Sequence, residues 1–409
     1  VLKGNLIPIK IASDGTVTKA DTSKEWYKYE NKEWANAVIL KDETKTYNIG
    51  ETIPEDNIES YFVWIPRYKY QIFDEGNYTG LTTKTSKVQT INVVFENKDT
   101  TPSNGTTKDS WLTHPAFTSF DSNGLWVGKF ETGYDGATST SAAQVNSVDT
   151  SKIIIKPNVY SWRNINVGNI FKNSYDYQRS LDSHMMKNTE WGSVVYLQHS
   201  IYGSQASGRI NNNEAYITGY ASTTEPTTGP TSSSTSTNRH ESTSLGVDGT
   251  YTVNYLNANS GVASTTGNRS GIYDMTGGAW DYVAGYTTGA STIGGNSGIT
   301  SIYQDFFTNS TYTKYWDKYT SNSQTQYNNR ILGDATGEMG PFGSEKDPDG
   351  TTRQKSSWYG DLAVSADFYF PWFVRGGYWY NATESGAFAF GFGPGAVDTY
   401  NSFRVVLTP

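Results

Sequence analysis

The sequence has no cysteine, which excludes disulfides, thiolate metal sites and every thiol-dependent reaction. Histidine is nearly as scarce. The four present, His114, His184, His199 and His240, are too widely spaced to suggest a zinc site, and each reads as a lone core or surface residue. No apolar run approaches the roughly 18 residues needed to cross a bilayer, and no signal peptide is recognisable, so direct membrane insertion is not expected. Charged residues make up only 18% and the formal net charge is -8, which leaves no basic footprint for a nucleic-acid backbone or anionic lipid. No Ser-His-Asp elbow, phosphate-cradling glycine loop or dinucleotide fingerprint occurs in a suitable setting. The chain begins at Val1 rather than Met. This reads as the mature or ordered part of a longer precursor whose N-terminus would carry a secretion signal, an anchor or an assembly module.

What the chain has in quantity is glycine and aromatic residues: 40 Gly, 30 Tyr, 17 Phe and 12 Trp. Each aromatic side chain buries a large area, so they can build a core that the modest aliphatic content could not. Such a composition predicts a turn-rich, folded α+β protein with low helix content. Residues 1–57 read as a small N-terminal β module of short strands: Asn5 to Ala12, then Trp26 to Tyr29, then Trp34 to Leu40. The polar, Pro-containing stretch Gly50 to Asn57 ends it, and the apolar strand Tyr61-Phe-Val-Trp-Ile-Pro-Arg-Tyr68 opens a main domain over 58–409. Helical spacing marks only two segments, 165–181 and 189–199, the second starting at an Asn188/Thr189 cap. Residues 135–150 and 221–243 are loop-like, and the second reads as a flexible Ser/Thr-rich surface insertion.

Four separated motifs then fall in one order. They are Tyr61 to Tyr68; Asn188-Thr-Glu-Trp-Gly-Ser-Val-Val-Tyr196; Gly271-Ile-Tyr-Asp-Met-Thr-Gly-Gly-Ala-Trp-Asp-Tyr282; and the bracket Val374-Arg-Gly-Gly377 with Ser402-Phe-Arg-Val-Val-Leu407. Gly277-Gly278 permits a tight turn between Met275 and Trp280, both expected to pack inward with Tyr273. Asp274 and Asp281 could accept backbone N–H groups around that turn. Arg375 and Arg404 flank the final segment and would fix its two ends.

Together these motifs resemble those of the formylglycine-generating enzymes, with the third segment carrying most of the resemblance. The likeness implies a C-type lectin fold of the formylglycine-generating-enzyme type. The enzymes' reactive thiols lie between their closing Arg-Gly-Gly and Gly-Phe-Arg strands, whereas residues 375–404 here contain none. The resemblance therefore does not bring the enzymatic activity with it, and no catalytic residue is assigned.

A second branch of that fold, the variable proteins of diversity-generating retroelements, is more similar at the C-terminus. In that group an error-prone reverse transcriptase randomises template adenines, so an AAC codon reaches a restricted alphabet lacking Trp, Met, Lys, Gln and Glu. Between Tyr378 and Asn401 only Trp379 and Glu384 fall outside it. This implies that 375–404 is a variable region: a ligand-binding surface without catalysis, for a protein or glycan on another cell, at a bacterial surface, pilus or phage tail.

The segment's own pattern suits such a surface. Ala387-Phe-Ala-Phe-Gly-Phe392 alternates, placing Phe388, Phe390 and Phe392 on one face of a strand, with the first two in the core. Gly393-Pro394-Gly395 must then leave the sheet. Tyr378, Trp379, Tyr380 and Tyr400 are the expected aromatic contacts, and Asn381, Glu384, Asp398 and Thr399 the polar ones, with Gly391, Phe392, Gly393, Pro394, Ala396 and Val397 completing the surface. Trp379 reads equally as a core filler. No cofactor is expected, although Asp347-Pro-Asp-Gly350 reads either as a plain turn or as a loop stabilised by a structural calcium ion; the tripeptides of calcium-dependent sugar binding are absent. Two alternatives stand beside the diversified binder. An undiversified structural or adhesive protein would bury 391–401, and a cryptic enzyme would show a carboxylate-lined pocket elsewhere.

Overall fold

The computed structural model describes residues 2–72, 90–136, 145–157, 159–205, 261, 263–288, 297–299, 309–320, 331–336, 343–346, 352–355, 358–378, 381 and 385–409. The chain is α+β with little helix, and its strands fall mainly into two sheets. The first has seven antiparallel strands in the order His184–Met185, Val405–Leu407, Gly124–Gly128, Ile58–Pro66, Asn36–Leu40, Ile7–Ile11 and Val17–Lys19. Its central strands are covered on both sides, which is why Ile58–Pro66 and Asn36–Leu40 read as nearly unbroken apolar runs.

The N-terminal 57 residues do not form a separate module. Asn36–Leu40 pairs along its length with Ile58–Pro66, so the boundary expected at 57 falls between two bonded neighbours of one sheet. The polar stretch before it is the end of the long connection 41–57 between these two strands, bridged to Thr18 at Thr52 and closing with the short 3-10 turn Glu55–Asn57.

In the second sheet, Trp280–Thr287 is central. Trp372–Gly376 and then Gly386–Gly393 lie antiparallel on one side; on the other, Asn401–Phe403 runs parallel to its first half and Asp317–Tyr319 to its second. Asn401–Phe403 and Val405–Leu407 belong to different sheets, separated by one residue. That residue, the fully buried Arg404, donates to Gly128 O at 2.8 Å in the first sheet and to Tyr273 O and Asp274 O, each at 3.1 Å. It bolts the two layers together.

Helix Val167–Tyr177 starts where the Asn166 side chain accepts the Asn169 N–H at 2.9 Å. Helix Asn188–Gln198 is buried over all eleven residues. Asn188 is not its cap: the Glu190 carboxylate accepts the Lys187 N–H at 2.7 Å, and the Asn188 side chain is drawn into the core by Arg375 and Tyr319. Gly192 lets this helix press on the backbone at Gly333, where a Cβ would lie 1.8 Å from the carbonyl oxygen. Trp191 Nε1 reaches Ala387 O at 2.8 Å, tying the helix to the second sheet. No helix among the described residues is long and apolar enough to cross a membrane.

Candidate functional site

The final segment is held at both ends by buried arginines. Arg375 is fully buried and donates to Asn188 Oδ1 at 2.9 Å, Asp334 O at 2.8 Å, Ala335 O at 3.3 Å and Ala387 O at 3.4 Å. Gly376 and Gly377 follow at φ +86 and +80, and a Cβ on Gly377 would sit 2.4 Å from Ser385 Oγ. Only glycine lets the chain leave the strand here. It emerges at Tyr378, whose N–H donates to Asn381 Oδ1 at 3.0 Å while its carbonyl accepts from Asn381 N at 2.9 Å and Ser385 Oγ at 3.0 Å.

The return segment after Gly386–Gly393 is anchored through its main chain. Gly395 O accepts from Val167 N at 3.0 Å, Asp398 O from Asn164 N at 2.8 Å, Thr399 O from Arg163 Nη1 at 2.9 Å and Tyr400 O from Trp280 N at 2.7 Å. Gly395 is buried at φ +77, its N–H donating to the Tyr282 hydroxyl at 3.1 Å. The Asp398 carboxylate accepts the Tyr400 N–H at 2.8 Å, a short Asx turn; partial burial raises its pKa and that N–H opposes the rise. Between these anchors Val397 is 44% exposed and Pro394, Ala396, Asp398, Thr399 and Tyr400 are half-exposed.

Tyr378 and Tyr400 meet with ring centroids 4.8 Å apart, and Tyr378 also stacks on Trp280 at 6.5 Å. Both pack over Ala279. Beneath this aromatic cap lies a buried carboxylate cluster. Glu131 accepts the Ala279 N–H at 3.0 Å and the Ser161 hydroxyl, and its own N–H donates to Asp274 Oδ2 at 3.2 Å. Asp281 faces Arg404 at 3.4 Å. Burial, then the Asp281 and Asp274 charges, push Glu131 well above the usual carboxylate range. Burial raises Asp274 to about 7 and Asp281 to about 6, against the pull of Arg404.

This cluster corrects the expected roles of the two aspartates. Neither caps the Gly277-Gly278 turn, where both glycines have φ +76 and Gly277 N–H donates to Gly376 O instead. Asp274 serves the neighbouring strand end at Glu131, and Asp281 is the partner of Arg404. Tyr273, Met275 and Trp280 are buried as expected.

The structure brings Tyr378, Asn381, Asp398, Thr399 and Tyr400 to one face but separates other expected contacts from it. Gly391 and Gly393 are buried inside the strand, where a Cβ would lie 3.3 Å from Val374 Cγ2 and 2.7 Å from the Tyr282 hydroxyl, respectively. Buried there, they are not placed to touch a ligand, and a side chain at 393 would collide with Tyr282. Phe392 points to the opposite face of that strand and packs on Phe370 at 5.1 Å. Phe388 and Phe390 are core, the former among His199, Trp358 and Tyr359. Trp379, Tyr380, Glu384, the 221–243 stretch, His240 and Asp347 to Gly350 lie outside the described residues.

Composition alone did not single out Tyr369 and Phe370, which are 70% and 38% exposed. Asp367 Oδ1 accepts the N–H groups of Tyr369 at 2.8 Å and Phe370 at 2.7 Å, so a rigid Asx turn presents them. The signal was present as Asp367 followed by three aromatics and Pro371. Among the described residues no group of three or more His, Asp or Glu side chains is arranged to hold a metal ion. No known protein-family model matches this sequence, and no curated protein matches it significantly.

Proposed function

We propose that this chain is a non-catalytic ligand-binding protein of C-type lectin fold, in the formylglycine-generating-enzyme-like form, whose C-terminal surface is diversified by a retroelement. The ligand is a protein or glycan on another cell, met at a bacterial surface or on a phage virion, with the carrier joined elsewhere in the assembly. The observation that carries this reading is how residues 395–400 are held. Four carbonyls take the anchoring hydrogen bonds, so the path of the loop depends little on which side chains it bears. Such a segment can exchange residues at 396, 397 and 399 without losing its frame. The Tyr378–Tyr400 pair supplies stiff, amphipathic area beside it, suited to concentrating affinity in a few contacts. The carboxylates of the buried cluster are closed to solvent, which favours a scaffold role over a catalytic one.

Two measurements test the proposal. The DNA beside the 3′ end of the gene should carry a repeat of the 375–404 coding segment differing only at adenines, near a reverse transcriptase gene. With a ligand retrieved by screening protein and glycan arrays, Tyr378→Ala and Tyr400→Ala should each weaken binding about tenfold or more at unchanged unfolding midpoint. An intact fold with undiminished binding in both variants would overturn the assignment of this face.

A further inference from the structure

A cleft of about 490 Å³, with no residue of the C-terminal face in its lining, opens between the N-terminal strand Ile7–Ile11 and the loop Gly267 to Ser270. Its volume lies in the range of small-molecule sites, roughly 300–1,000 Å³. The floor is Trp34, only 2% exposed, whose indole N–H is already spent on Tyr202 O at 2.8 Å.

The far wall is built rather than incidental. Asn268 Oδ1 accepts from Ser270 N at 2.8 Å and from the Ser270 hydroxyl at 2.7 Å, and Asn268 Nδ2 reaches Lys32 O at 2.8 Å. Ser270 Oγ in turn accepts the Trp34 N–H at 2.9 Å. Arg269 Nε donates to Ser13 O at 2.7 Å, closing the wall onto the N-terminal turn. Behind it the fully buried Lys129 Nζ donates to Arg269 O and Gly271 O, each at 2.6 Å. The wall is therefore rigid, and its polar groups are satisfied internally.

The mouth is the reverse. Among the described residues the side chains of Lys10, Asn31 and Glu33 make no hydrogen bond or ion pair, and they stand around the half-buried Trp26, whose ring is braced edge-on by Tyr27 at 4.9 Å. An ammonium, an amide and a carboxylate offer donors only, both, and acceptors only. A single charge sign would select an ion; this mixture around an indole matches a ligand with an apolar face and a rim of groups that both donate and accept. A pyranose ring has that form.

We propose that this cleft is a carbohydrate-binding site for one or two pyranose rings, independent of the C-terminal face, with Trp26 stacking on the sugar and Lys10, Asn31 and Glu33 bonding its hydroxyls. The test is titration of the full chain with the methyl glycosides of common hexoses, N-acetylhexosamines and uronic acids, read by tryptophan fluorescence and calorimetry. At least one should bind within the millimolar range. Trp26→Ala should weaken it about tenfold. Glu33→Gln and Lys10→Ala, both with exposed side chains, should weaken it severalfold and keep the comparison valid if Trp26→Ala fails to fold. Tyr400→Ala should leave it unchanged, so failure here and failure of the C-terminal reading are separable. Absence of binding by every glycoside into the millimolar range, or binding lost in Tyr400→Ala but kept in Glu33→Gln and Lys10→Ala, would overturn the proposal.

Discussion

Replacing Glu131 by Gln probes the buried cluster under the tyrosine pair. Glutamine keeps the oxygen that accepts the Ala279 N–H and places an amide where the Ser161 hydroxyl now donates, so the local frame should persist. In the native protein burial and the two nearby aspartates raise the Glu131 pKa well above its ordinary 4.5. Between that ordinary value and the raised one, the folded chain holds a proton that the unfolded chain releases, so stability is lost as pH rises. Inside that window the slope approaches about 1.4 kcal/mol per pH unit. The Glu131→Gln variant lacks the Glu131 part of that loss, so it should gain on the parent as pH rises above about 4.5. Equilibrium denaturation in urea, followed by tryptophan fluorescence at several pH values, gives the difference directly. The comparison also removes an opposing trend. His114 and His199 are lowered to about 3 and 4 by burial, and their contribution is lost as pH falls below 6.5, but both proteins share it. A variant that instead loses ground as pH rises would refute the reasoning, because Glu131 would then be an ionised partner of Arg404 and Arg163.

At Gly395, alanine would place its Cβ 2.6 Å from Trp372 Cδ1 and 2.7 Å from Ser297 Cβ at φ +77, so Gly395→Ala should cost about 2–4 kcal/mol in thermal or chemical unfolding. Val397→Ala and Thr399→Ala in the same loop should stay within about 0.5 kcal/mol. Arg404→Met removes the donor to three buried carbonyls and leaves Asp281 without its counterion, and should cost about 3–5 kcal/mol. Trp191→Phe forfeits the bond to Ala387 O and leaves a small cavity in a fully buried site, and about 2–3 kcal/mol is expected from the same unfolding assays.

What the sequence revealed was local. The period-two run from Ala387 placed Phe388 and Phe390 in the core, and helical spacing found Val167–Tyr177 and Asn188–Gln198 within a few residues, because these patterns depend only on neighbours along the chain. What it concealed was pairing between distant segments. Arg163 lies 236 positions before Thr399, and nothing in either stretch announces that one holds the other. Strand order is concealed for the same reason, so a polar connection before Ile58 read as a domain boundary. Asp281 illustrates a third difficulty: beside a Gly-Gly turn a carboxylate is a natural acceptor of N–H groups, and only the approach of Arg404, from between the last two strands, assigns it elsewhere.

These distant pairings also explain how one segment can be both fixed and replaceable. A loop held by its own side chains would change course with each substitution. Here the fixed positions are Gly393 and Gly395, where space or φ admits no alternative, together with the donors Arg163, Asn164, Val167 and Trp280 that meet its carbonyls. Every one of those donors lies outside 375–404, on parts of the scaffold that the closing strands and Arg404 hold in register. On the proposed reading the replaceable positions are 396 and 397, which fall between the anchored carbonyls of 395 and 398, and 399, whose own carbonyl is anchored while its side chain is half-exposed. Partition of this kind is what a recognition surface needs if its chemistry is to change while its geometry does not, and it is set by backbone hydrogen bonds that every amino acid substituted there can still accept.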